Sequence, residues 1–91
     1  MAHLSKQNDD LIKRVRRITG QVQAIGKALA ASEDCAKILL LAAAARGAMS
    51  GLVEQIIEAH LQEHIVRKGL TERDRAAAAD ELMQAIRRYT R

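Results

Sequence analysis

The stretch "EDCAKILLLAAAARGAMSGLVEQIIEAHLQEHIVRK", residues 33–68, holds no proline and reads as one uninterrupted helix. Within it Ile38, Ala42, Ala45, Met49, Leu52 and Ile56 recur at intervals of four and three, the period of an apolar seam. Gly69 supplies a C-terminal stop, and Arg67 and Lys68 suit the negative end of the helix dipole. A helix from about Glu33 to about Lys68 is about 50 Å long at its usual rise. Two shorter neighbours in a chain of 91 residues cannot cover it. Apolar surface left in water costs about 25 cal/mol per Å², so an obligate oligomer is expected, with this helix at its centre. Gly47, Ala48, Ser50 and Gly51 lie at its middle, where small side chains let a second backbone approach closely.

The flanks complete an all-α protomer of three helices. In the first, Leu11, Val15, Ile18, Val22, Ile25 and Leu29 form a second four–three seam. Ser32 is placed to cap the central helix, with Glu33 and Asp34 favourable in its first turn. The third follows "LTERD", with Thr71 as N-cap and Asp74 three residues on, and runs through Leu82 and Ile86 to Tyr89. Residues 1–91 are read as a single domain.

Composition narrows the function. One cysteine allows no intrachain disulfide, which fits a reducing cytoplasm. The longest apolar run, Ile38 to Ala45, is too short to span a bilayer, so a soluble cytoplasmic protein without a membrane partner is expected. Tyr89 is the only aromatic residue, which argues against single-stranded nucleic acid, whose bases stack on aromatic rings. Residues 1–31 carry Lys6, Lys13, Arg14, Arg16, Arg17 and Lys27 against Asp9 and Asp10, while the remainder is neutral. A solvated helix face accounts for such charge as well as a polyanion does, and the polyanion it would suit is duplex DNA. No Ser–His–Asp set, phosphate-binding glycine loop or carboxylate pair at a pocket can be read, so an enzyme is not expected.

The single thiol and the histidines pose a spacing problem. At 100° per residue, Cys35, His60 and His64 fall within about 20° of one helix face, and His60 and His64 are i, i+4 neighbours. Along the axis, however, Cys35 is about 37 Å from His60. Taken singly, such a cysteine is commonly a small buried hydrophobe, and such a histidine pair a solvated face. Two antiparallel copies of the helix would bring the groups together. Setting Cys35 against the His60/His64 pair of the other chain puts the two-fold axis near residues 48 and 49, among the small residues. His3, on the N-terminal arm, could fold over such a site. One thiolate and three imidazoles suit Zn(II), Co(II) or Ni(II), whereas Cu(I) prefers more sulfur. Asp34 and Glu63 stand beside the ligand positions as further oxygen donors or as supports for the ligands.

"RVRRITGQVQAI", a cysteine at the start of the central helix and "AAAARGAMSGLVEQIIEAHLQEHIV" together resemble the CsoR/RcnR family of metal- and formaldehyde-sensing repressors, over the whole chain. The resemblance implies an antiparallel dimer with a four-helix-bundle core, and a tetramer made of two such dimers. It implies duplex operator DNA held by basic residues without a helix-turn-helix, here Lys13, Arg14, Arg16 and Arg17, with Lys6 and Arg46. Copper sensors of the family carry a second cysteine where this chain has His64. Formaldehyde sensors typically have proline after the initiator Met and glutamate at the position of His64, where this chain has Ala2 and His64. Nickel/cobalt sensors carry His, Cys, His, His at the positions of His3, Cys35, His60 and His64, and this chain matches all four.

The resemblance therefore implies a repressor that holds DNA in the apo state and is released by Ni(II) or Co(II), with Zn(II) a possible effector, controlling metal-efflux genes. A formaldehyde or zinc sensor using Cys35 is the rival within the family. A non-specific DNA-packaging helical protein with a buried Cys35 is the rival outside it.

Overall fold

The structure, a computed structural model, describes residues 8–90. It contains α1 (Asn8–Ala30), α2 (Cys35–Leu61) and α3 (Glu72–Tyr89), and a π-helical turn, Gln62–Val66, continues α2. Among the described residues there is no strand, so the all-α architecture of three helices is as expected. Residues 8–54 form one compact unit and the segment from residue 55 onward another, the boundary falling inside α2.

Each four–three seam resolves into two rows of seven-residue spacing. On α1, Leu11 and Ile18 are buried and Ile25 half-buried, whereas Val15, Val22 and Leu29 of the other row are 45%, 53% and 59% exposed. On α2 the row Ile38, Ala45, Leu52 points inward, and Ala42, Met49 and Ile56 are exposed. The protomer thus covers one row of each seam and leaves the other open. Leu39 and Leu40 are 65% and 72% exposed. The small residues of α2 divide in the same way. A Cβ at Gly51 would meet Nη1 of Arg14 at 2.8 Å, so Gly51 faces α1 of its own chain. Gly47 looks onto open space.

The connection between α1 and α2 corrects the reading of Ser32. Its φ of 52° is left-handed. The Ser32 amide donates to the Leu29 carbonyl (3.1 Å) and the Glu33 amide to that of Ala28 (3.0 Å). Those two bonds close the end of α1 as a Schellman turn, with serine where glycine is usual. Asp34, whose carbonyl accepts from the Ile38 amide, is the residue that opens α2. Serine pays a steric cost at positive φ that glycine avoids. Ser32→Gly is therefore expected to raise stability by about 0.5–1 kcal/mol, a gain that denaturant unfolding would register.

In the second unit Ala59 and Ala78 are buried, and α3 packs against the π-helical turn. The helical path ends at Val66, two residues before the expected Lys68, because Arg67 takes an extended ψ of 139°. Gly69 then turns the chain at a φ of 90°, the stop expected of it. Thr71 caps α3 as expected, its Oγ1 accepting from the Asp74 amide at 3.1 Å.

Cys35–Val66 as a whole, 32 residues, is long and apolar enough to cross a membrane by length and composition. The run Ile38–Ala45 understated this helix. Arg46 nevertheless stands near its middle, where a bilayer centre would penalise it by about 2.5–3.5 kcal/mol. The open row at seven-residue spacing is the pattern of a seam between helices.

Candidate metal centre and nucleic-acid interface

Cys35 is the first residue of α2, and its thiol is free and exposed. As a buried hydrophobe it therefore has no place in the protomer. At the other end of α2, His60 lies half-buried against α3, with Nε2 3.0 Å from the Ala78 carbonyl oxygen. A carbonyl only accepts, so Nε2 carries a proton, and in the neutral imidazole Nδ1 keeps the lone pair. This is the support that metal-binding imidazoles commonly have: one nitrogen donates to a backbone carbonyl, which fixes the tautomer and leaves the other to the ion.

His64 follows on the π-helical turn, its ring centroid 5.2 Å from that of His60 and the two planes tilted by 52°. The expected neighbourhood of the two imidazoles is therefore present. Its origin differs from simple i, i+4 stacking, because a π-helix turns less per residue and His64 lags behind its α-helical position. Glu63 is well covered, and its Oε2 lies 4.0 Å from Nε2 of His64, an electrostatic contact longer than a hydrogen bond.

Among the described residues no three metal-competent side chains gather in one chain. His60 and His64 supply two nitrogen donors, and a complete shell must draw on groups elsewhere. Asp34 immediately precedes Cys35 and is exposed. His3 lies outside the described residues, as does Lys6. One imidazole held through its Nε2–H, a second beside it and an accessible thiol fit a borderline transition metal by their chemistry.

The basic face is on α1. Lys13, Arg16 and Arg17 are exposed, and among the described residues none of them forms an ion pair. Arg14 is half-buried, with its guanidinium over Gly51. Arg46 is exposed on α2.

A family model described as a metal-sensitive transcriptional repressor matches residues 7–88. The chain belongs to that family, the CsoR/RcnR repressors. Its members are transcriptional repressors and not enzymes. The chain is similar to a transcriptional repressor RcnR homolog of Escherichia coli O139:H28, 42% identical over 69 residues, 76% of this chain and 77% of the relative. Among solved structures it resembles a glutamate-to-histidine variant of the formaldehyde-responsive regulator FrmR from Salmonella enterica serovar Typhimurium. The TM-score is 0.88 at 39% identity, covering 97% of this chain and 99% of that one. It also resembles the copper-sensing repressor CsoR with Cu(I) from Geobacillus thermodenitrificans, with a TM-score of 0.83 at 26% identity over 100% and 94% of the two chains. Sensors of different effectors thus share this CsoR/RcnR fold. The effector must be argued from the donor groups.

Arg75, not expected from its sequence position, also touches this region. Its guanidinium reaches back from the first turn of α3 to the carbonyls that follow His64. An arginine in the first turn of a helix carries no such signal, because the contact is tertiary.

Proposed function

We propose that this CsoR/RcnR-family chain is a cytoplasmic repressor that binds duplex operator DNA without metal and is released by Ni(II) or Co(II), controlling metal-efflux genes. Zn(II) fits the same donors and is the next candidate. The observation that carries this reading is the His60 Nε2 bond to Ala78, which leaves Nδ1 available beside His64. With one cysteine against two or three imidazoles, the set is richer in nitrogen than Cu(I) favours.

The site is completed between chains. Two copies of α2 pack antiparallel through the open row Ala42, Met49 and Ile56, with Gly47 near the axis. Cys35 of one chain then lies against His60 and His64 of the other. His3 closes the shell, while Asp34 and Glu63 support it or add oxygen donors. Residues 1–91 work as one domain, and two dimers make a tetramer. Lys13, Arg16 and Arg17 contact phosphates, with Arg14, Lys6 and Arg46 at the margins of that surface. Derepression needs the DNA-bound form to hold metal more weakly, by a coupling of about 1–3 kcal/mol. Metal displaces the thiol proton, so the response weakens as pH falls.

Formaldehyde is the second reading, favoured by the exposed thiol of Cys35 and by the similarity to FrmR. One experiment separates the two. Ni(II), Co(II), Zn(II) and formaldehyde are titrated separately into the protein–operator complex while anisotropy follows DNA release. Release by Ni(II) or Co(II) at lower concentration than by formaldehyde is expected, and release by formaldehyde alone overturns the metal reading.

A further inference from the structure

We infer that Gly51 is a positioning residue for Arg14: the bare backbone of α2 at Gly51 seats the guanidinium where a DNA phosphate can reach it. Arg14 stands three residues after buried Leu11 and four before buried Ile18, so it borders the apolar stripe of α1. Arg17, one turn on, belongs to the exposed cationic face. From that edge the Arg14 side chain leans onto α2, where its Nη1 lies 2.8 Å from the place a Cβ would take at Gly51. That is well inside the usual contact distance of about 3.5–4 Å. At Gly20, Gly26, Gly47 and Gly69 an added Cβ would meet nothing within 4 Å, so the requirement is particular to Gly51. Glycine is among the least favourable residues inside a helix, and here the missing Cβ makes room for the cation.

A second observation points beyond packing. Although Arg14 is half-buried, among the described residues it makes neither an ion pair nor a hydrogen bond. A partly desolvated charge without a counter-ion gains nothing electrostatic within its own chain. The stem gains by lying on apolar surface, while the planar, weakly hydrated head keeps its charge for an outside anion. Lys13, Arg16 and Arg17 are exposed and must be ordered when they meet a phosphate, at a cost in side-chain entropy. Arg14 has met part of that cost in the free protein, because its head group already rests at Gly51. Gly51→Ala removes the seat without breaking the fold, since the group it displaces is the far end of a flexible side chain.

That Arg14 then meets phosphate rests on the proposed DNA reading, but the seat is testable in the free protein. Gly51→Ala, Arg14→Ala and the double variant are prepared in the full-length chain, and 15N relaxation of the arginine Nε–H groups is measured without DNA. In the wild type Arg14 is expected to be more ordered than Arg16 and Arg17, and in Gly51→Ala to become as mobile as they are. Arg14 as mobile as its neighbours in the wild type, or unmoved by Gly51→Ala, overturns the proposal. Binding of a mixed-sequence DNA duplex is then followed by anisotropy, since phosphate contacts do not depend on sequence. Gly51→Ala is expected to weaken it about 2–10-fold for each protomer engaged, and to have no effect in the Arg14→Ala background. An equal loss in both backgrounds, or no loss in either, overturns the role in DNA binding. If Gly51→Ala unfolds, the double variant, in which no guanidinium opposes the methyl, is expected to fold. A double variant that also fails to fold overturns the seat. A wild-type protein that binds no duplex refutes the DNA reading, while a mobilised Arg14 in Gly51→Ala upholds the seat.

Discussion

Cys35→Ala and His60→Ala chains, each unable to bind Co(II) tightly, are expected to recover binding when they share a dimer. In the proposed antiparallel pair, the Cys35→Ala chain keeps its histidines and the His60→Ala chain keeps its thiol. One of the two sites in the mixed dimer is then complete and the other lacks both groups. With random pairing half of the dimers are mixed, so capacity should return to about a quarter of wild type in the mixture and to about half in mixed dimers isolated by both tags. Each homogeneous variant should lose about 3 kcal/mol of metal affinity, a quarter of the roughly 10–16 kcal/mol typical of a four-ligand site. The exposed thiol makes no packing contribution to the protomer, so Cys35→Ala should change stability by no more than about 0.5 kcal/mol. His60→Ala also loses the bond to Ala78, a cost of about 1 kcal/mol. The measurement is the thiolate-to-Co(II) absorption of co-expressed, doubly tagged dimers. No recovery in the mixed species would place the site within one chain and remove the reason for the antiparallel register.

Replacing Arg16 and Arg17 together by alanine should abolish most operator binding and leave folding intact. Both side chains are exposed and, among the described residues, neither is paired, so their loss should shift stability by less than about 0.5 kcal/mol. DNA pays differently. Each lost phosphate contact lowers the slope of log affinity against log salt by about 0.9, and each substitution counts once for every protomer that touches the duplex. Four or more contacts vanish if two protomers engage, which should weaken binding at least about a hundredfold at moderate salt. Fluorescence anisotropy at several salt concentrations reads both quantities. Arg14→Ala should behave otherwise, since its guanidinium rests over Gly51 and its removal disturbs the α1–α2 contact. A double variant with an unchanged salt slope would move the DNA surface off α1.

The seams, the Thr71 cap and the turn at Gly69 were legible because each depends on residues a few positions apart. Apolar spacing on α1 and α2 gave both helices, and only the split into a covered and an open row needed the fold. Ser32 misled because a serine before two acids has the composition of an N-cap, while the bonds to Ala28 and Leu29 use it to finish the preceding helix. The π-helical turn was not legible, since a fixed 100° per residue presumes the α-helix it departs from. Cys35 and His60 were recognisable by type and phase. The bond from His60 to Ala78 was not, because it joins residues 18 apart across two helices. Arg75 escaped for the same reason.

The open rows Val15, Val22, Leu29 and Met49, Ile56 would also make protein concentration a variable of the proposed switch. If association covers these rows, subunit binding and folding draw on one equilibrium, and melting temperature rises with protomer concentration. Dilution below the dissociation constant would then dismantle the metal site and the DNA surface together. A cell holding few copies of such a chain would lose repression and sensing at the same threshold.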